Sequence, residues 1–252
     1  MSEVALWPIA LGVLGAVFGS FIATLAIRWP QGRSSLSGRS ECDGCGRTLT
    51  AHELVPLLSF AALRGRCATC GARIAPSHVI TETLGALVGI AAGLIAPGID
   101  GVAGAVFGWM LLALGAIDFA AFWLPNPLTL TLAMLGLASG LAGLAPSLTN
   151  RAIGGVLGFG SLWLIAAAYK RLRGRIGLGG GDAKLFGAIG LWLGWRGLAP
   201  TLLIAALLGL AVAIATRKAM GDRLPLGTLL AAGGFAMWLA YHWPVTGGVR
   251  WT

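Results

Sequence analysis

The chain has 252 residues, of which 57% are hydrophobic and 11% charged, and its mean hydropathy is +0.84. A soluble domain carries about 25% charged residues, so these values exclude a water-soluble globule and predict an all-α polytopic membrane protein. The net charge of +9 is no nucleic-acid footprint: the basic residues cluster between apolar segments, as in cytoplasmic loops, so membrane lipid and not nucleic acid is the expected surrounding.

The first apolar segment covers residues 4–27 and is long enough to span. Glu3 precedes it and Arg28 follows it. That order argues against a cleaved signal peptide and sets the N terminus outside, with Arg28 inside. Residues 28–77 form the long polar stretch, rich in arginine and holding all four cysteines. They pair as Cys42-x-x-Cys45 and Cys67-x-x-Cys70. Two such pairs read as a tetrahedral zinc site, although the gap between them lies just beyond the usual window. Gly46 and Gly71, each following a pair, suit a tight knuckle turn. Two disulfides or four idle thiols are the alternative, disfavoured if the loop is cytoplasmic. Four cysteines leave no open position for a catalytic water, so the zinc is structural.

Seven further apolar segments follow, at 79–97, 102–117, 128–145, 153–169, 185–195, 198–216 and 226–243. The expected fold therefore has about eight transmembrane helices, with a small cytoplasmic zinc-binding loop domain between the first two. The expected division is a first helix at 1–27, the loop domain at 28–77 and a membrane-embedded core at 78–252. Threading the chain from an outside N terminus puts inside the bases from Arg28 to Arg73, Lys170 to Arg175, Lys184, Arg217, Lys218 and Arg223. Only Arg151, Arg196 and Arg250 remain outside. The same threading puts Asp118, at the end of the third segment, and Asp182, at the start of the sixth, at the cytoplasmic boundary.

Asp182 closes a glycine-rich turn, Gly177-Leu-Gly-Gly-Gly-Asp182, ahead of Lys184. Asp118 precedes Leu124-Pro-Asn-Pro127, where the two prolines break the helix. Either acid alone reads as a helix cap. Two acids at one depth read as function, because carboxylates at membrane depth are costly. Held close, they share a proton: one acts as base on a water and the other polarises a peptide carbonyl. Paired carboxylates also relay protons in transporters, although those sites favour the midplane. No nucleophile triad competes, since His52, His78 and His242 are scattered, and no Walker-type phosphate loop is present.

The chain resembles the type IV prepilin peptidases, the leader peptidase/N-methyltransferases of bacterial pilus and type II secretion systems. The resemblance rests on Gly19-Ser20-Phe21, Arg28-x-Pro30, the two cysteine pairs, Pro56-Leu-Leu-Ser59, Arg64-Gly65, Glu82, Ile117-Asp118 with Leu124-Pro-Asn126, and Gly179-x-Gly181-Asp182-x-Lys184. It implies a GxGD aspartyl protease of the bacterial inner membrane that cleaves prepilin or pseudopilin leaders on the cytoplasmic side. It also implies methylation of the new N terminus with S-adenosylmethionine. Asp118 and Asp182 are then the dyad, Gly179, Gly181, Lys184 and Glu82 its support, and Cys42, Cys45, Cys67 and Cys70 the zinc ligands. Three places depart from the family pattern: Ala23-Thr24 stands for Asn-Val, Glu53-Leu54 for Asp-Asn, and Asn126 for Asp. The first two fall in the region the resemblance associates with methylation, so peptidase activity alone is the second reading. A basic leader would find Glu41, Asp43 and Glu53 in the loop, of which Glu41 and Asp43 are expected to pair with nearby arginines. Glu82, inside an apolar helix, is expected to face the interior near the dyad or to contact the loop.

Overall fold

The computed structural model describes residues 3–34, 39–42, 44–175, 177–217 and 223–243. Asp43, Lys218 and Arg250, read above as a loop acid and two loop bases, lie outside the described residues. Among the described residues the long elements are all helices: α1 (Glu3–Arg28), α2 (Pro76–Ile95), α3 (Ile99–Ala121), α4 (Asn126–Leu141), α5 (Leu148–Arg173), α6 (Gly180–Leu193), α7 (Leu198–Ala215) and α8 (Leu226–His242). Each corresponds to one predicted apolar segment. Five regions, α1, α2, α3, α5 and the stretch Trp195–Ala215, are long and apolar enough to cross a membrane. Helices α4, α6 and α8 have 16, 14 and 17 residues. The chain divides into two compact units, Met1–Ala105 and Val106–Thr252.

In the first unit α1 and α2 lie backbone against backbone. Gly85, Gly89 and Gly93, spaced by one helical turn, turn one stripe of α2 to α1. A Cβ on Gly93 would stand 2.7 Å from the Cα of Pro8, and one on Gly19 would stand 2.6 Å from the Cα of Glu82. Glycine is what allows this approach, the usual device where lipid removes any hydrophobic drive between helices. The polar loop between the two helices is more structured than its sequence indicates, with short helical turns at Ala51–Leu54 and Leu58–Ala62.

In the second unit α5 and α6 use the same device. A Cβ on Gly158 would stand 2.6 Å from the carbonyl oxygen of Phe186, and one on Gly154 2.6 Å from the carbonyl carbon of Gly194. The Trp192 indole donates to the Leu132 carbonyl at 2.8 Å and stacks on Phe107 at 4.8 Å. The outer face of α5 exposes Val156, Trp163, Leu164 and Ile165, an apolar surface that suits lipid.

Arg151, counted above among the outer charges, is 1% exposed. Its guanidinium donates to five backbone carbonyls: Pro146, Gly136, Leu191, Leu144 and Ala145, at 2.8 to 3.2 Å. It thereby ties α4, the turn after it, α5 and the end of α6. The planar five-donor fork is what makes this possible. Arg151→Met leaves those buried acceptors unpaired, so we expect a loss of about 3 kcal/mol or more, with Arg151→Lys recovering only part. Thermal unfolding in detergent measures it, and a Met variant that melts like the wild type overturns the clamp.

Candidate active site and metal centre

The cysteine loop builds two matching knuckles. The first closes through Cys42 N–H to the Arg47 carbonyl and Gly46 N–H to the Cys42 carbonyl, at 2.9 and 2.8 Å. The second repeats this with Cys67 N–H to the Ala72 carbonyl and Gly71 N–H to the Cys67 carbonyl, at 2.8 and 3.0 Å. Gly46 and Gly71, expected from the sequence in tight knuckle turns, take left-handed φ values of +68° and +71°. Antiparallel bridges Glu41–Thr48 and Arg66–Arg73 flank the turns.

All four cysteines are free thiols. Their sulfurs lie within 4.8 Å of one another, with Cys42 Sγ and Cys70 Sγ 3.8 Å apart. A tetrahedral thiolate site with Zn–S near 2.3 Å has sulfurs about 3.8 Å apart, so the donor set fits zinc. The electrostatics agree. The Cys70 and Thr69 backbone amides, with Arg47 assisting, lower the Cys67 thiol to about 6. Cys70, although lowered by the Ala72 amide, is pushed up to about 11 by desolvation and by the Cys45, Cys67 and Cys42 thiols. Crowded thiolates repel one another, and a divalent cation relieves that.

Arg47 is the hub of this loop. It makes a two-pronged pair with Glu53 at 2.6 and 3.0 Å and reaches Cys67 Sγ at 3.8 Å. Glu53 also caps the turn at Thr50, accepting from its amide at 2.9 Å and its hydroxyl at 2.6 Å. The Arg47 guanidinium, then the Thr50 hydroxyl and amide, hold the Glu53 carboxyl well below the usual carboxylate range. Among the described residues, the loop acid paired with an arginine is thus Glu53 rather than Glu41.

Glu82 is 7% exposed and contacts the loop. Its Oε2 accepts the Leu57 amide at 2.8 Å. Leu57 stands at φ +62°, ψ −45°, and the Leu58 amide returns to the Pro56 carbonyl at 2.6 Å. This is a γ-turn with positive φ on a bulky residue, a conformation that costs about 1–3 kcal/mol. The Glu82 carboxylate is what satisfies its amide.

Both aspartates lie in the second unit. The helix carrying Asp118 ends at Ala121, and the chain turns through Leu124 and Pro125 into α4. Asp182 sits in the first turn of α6 and accepts the Gly179 amide at 3.2 Å, so the capping role read for it is real. Asp118 is 5% exposed. Its Oδ2 accepts the Thr228 amide at 2.9 Å and lies 3.3 Å from the Thr228 hydroxyl. Each acid therefore serves the N-terminal end of a helix, where unsatisfied amides favour negative charge. What the single-cap reading does not explain is their convergence. Leu124, 9% exposed, lies between the two acid-bearing turns. A Cβ on Gly181 would stand 3.0 Å from Leu124 Cβ, and a Cβ on Gly227 would stand 3.0 Å from Leu124 Cδ1 and 2.9 Å from Asp118 Cγ. The Asp182 carboxyl lies within electrostatic reach of Asp118. Lys184 Nζ donates to Asn126 Oδ1 at 2.8 Å, joining the Leu-Pro-Asn stretch to the glycine motif.

Gly227 and Thr228 were not singled out in the sequence. The signal was a Pro-Leu-Gly-Thr start to the last apolar segment, which reads as an ordinary helix entry and gives no hint of a carboxylate from another helix.

The profile of a Bacterial Peptidase A24 N-terminal domain matches residues 13–95, and that of the Type IV leader peptidase family matches residues 105–214. A prepilin leader peptidase/N-methyltransferase of Pectobacterium carotovorum subsp. carotovorum is 34% identical over 256 residues, covering 91% of this chain and 92% of its own. One of Neisseria gonorrhoeae is 35% identical, covering 83% and 76%. One of Burkholderia pseudomallei (strain K96243) is 44% identical over 79% of this chain, which spans 66% of that relative's length. No solved structure matches. With both halves matched and the Pectobacterium relative aligned nearly end to end, this chain belongs to the type IV leader peptidase family.

Proposed function

We propose that this protein is a membrane aspartic endopeptidase that removes the leader from type IV prepilins or pseudopilins, with Asp118 and Asp182 as its dyad. The convergence of the two acids around Leu124 carries the reading. One aspartate takes a proton from a water, whose oxygen bonds to the scissile carbonyl carbon. The other, protonated, donates to the carbonyl oxygen and polarises it. The C–N bond then breaks, and the amine leaves with a proton from the dyad. Gly179 and Gly181 give the turn its shape, and Lys184 holds it to Asn126. The names of the relatives supply the substrate class. Co-expression with a prepilin, reading leader removal and the mass of the new N terminus together, tests the whole proposal.

The protein is proposed to cross the bacterial inner membrane through all eight helices, N terminus outside, with the zinc loop of residues 28–77 and the dyad on the cytoplasmic side. The positive-inside asymmetry, with Arg151, Arg196 and Arg250 as the outer bases, supports this orientation.

A second activity, N-methylation with S-adenosylmethionine, is favoured by the relatives' names and by a cavity beside the knuckles. Its walls offer Arg28 and Arg73 to a carboxylate, Glu41 and Glu82 to cationic groups, and Phe60 to an aromatic base. That donor set fits a zwitterionic sulfonium nucleoside, which supplies the methyl group when bound. Thr24, Glu53 and Leu54, where the chain departs from the family pattern, line the same cavity, so peptidase activity alone is the competing outcome. Glu82→Ala releases the Leu57 amide and the strained turn. We expect it to cut methylation at least about tenfold, while Glu82→Gln, which still accepts a hydrogen bond, loses less. N-terminal mass spectra of processed pilin decide, and an Ala variant with full processing and methylation refutes the role.

A further inference from the structure

We infer that the first turn of α8, Gly227 and Thr228 above all, is a positioning element of the aspartate site: Gly227 makes room for the Asp118 carboxyl and Thr228 holds it. The inference rests on the peptidase reading and adds residues to it. Thr228 is the third residue of α8, so its amide is one of the donors that a helix leaves unsatisfied at its start. That amide is directed at Asp118 Oδ2 at 2.9 Å. The hydroxyl does a second job. It donates to the Gly115 carbonyl at 2.8 Å, one turn before Asp118 on α3, and stands 3.3 Å from Oδ2. It thus staples the start of α8 to the turn that presents the acid, and so fixes the direction of the amide.

Gly227 has no room for a side chain. A Cβ there would lie 2.9 Å from both Cγ and Oδ2 of Asp118 and 3.0 Å from Leu124 Cδ1. Asp118 and Leu124 are both buried, and Leu124 is in turn held against Gly181, beside Asp182. An added methyl therefore displaces the Asp118 carboxyl or drives Leu124 toward the second acid. Either way the geometry between the two carboxylates changes. Sub-ångström placement of reacting groups is what such a site depends on.

The test uses full-length protein in detergent and a prepilin substrate. Gly227→Ala is expected to lower kcat about 100-fold with KM within about twofold, the split expected when binding is intact and reacting groups are misplaced. Thr228→Val is expected to lower kcat about tenfold, and Thr228→Ser to restore it. Melting curves establish that each variant is folded. If Gly227→Ala fails to fold, the Thr228 pair decides. Labelling of Asp118 by dicyclohexylcarbodiimide, mapped by mass, reads the carboxyl without turnover: it rises in Thr228→Val and not in Thr228→Ser. Folded Gly227→Ala and Thr228→Val proteins with wild-type kcat and wild-type labelling overturn the inference, as does a loss confined to KM. A wild type that cleaves no prepilin but shows the labelling difference refutes the peptidase reading and leaves this one standing.

Discussion

Asp118→Asn and Asp182→Asn, made one at a time, are each expected to lower leader cleavage by about 10³-fold, the scale of a lost acid–base partner. Protein level and membrane insertion should be unchanged. The amide is nearly isosteric and still accepts a hydrogen bond, so the Asp118→Asn protein keeps the Thr228 contact and the Asp182→Asn protein keeps the Gly179 contact. The caps survive and only proton transfer is lost. That separates catalysis from the capping role each acid also plays: if the acids only cap, both variants remain active. Appearance of processed pilin on a gel, quantified against intact precursor, measures the effect. Full cleavage by either variant removes that acid from the dyad. A proton-relay transporter gives the opposite pattern, with lost ion flux and no peptide product in the wild type.

The two acids were legible in the sequence because depth alone marks them: each stands where an apolar segment meets a polar one, and polarity is costly there. The knuckles were legible because spacing alone brings each cysteine pair onto one turn. Other features lay beyond such reasoning. Arg151 entered the sequence reading only as an outer charge, and only the fold reveals the five carbonyls around it. Thr228 and Gly227 were missed because their partner comes from α3, far away in the chain, and no periodicity encodes that approach. Glu53 was offered to a basic substrate, yet the nearest cation is Arg47, six residues earlier in its own loop. The glycines of α2 were not singled out in the sequence, although their spacing by one turn, which makes the stripe, is visible there.

Purified protein is expected to carry about one zinc per chain, and Cys42→Ser/Cys45→Ser to carry none. The sulfurs of both knuckles converge within 4.8 Å, so removing one pair leaves two ligands, too few for a closed tetrahedral site. Among the described residues between α1 and α2, the regular structure is two isolated bridges and short helical turns, and apparent binding energies of structural zinc, about 10–16 kcal/mol, exceed what such contacts supply. Limited proteolysis should therefore open the loop in the double variant, or in wild type after chelation, while the helices stay protected. Arg47 gives a finer test. Four thiolates around a divalent ion leave a net charge of about −2, and Arg47 reaches Cys67 Sγ while Glu53 fixes its direction. Arg47→Ala should weaken zinc retention by about tenfold or more without removing a ligand, and Arg47→Lys, which cannot make the two-pronged pair with Glu53, should recover only part of it. Metal analysis that finds no zinc, together with disulfide-linked cysteines by mass spectrometry, would overturn both the metal centre and the cytoplasmic position of the loop, because thiols on that side stay reduced.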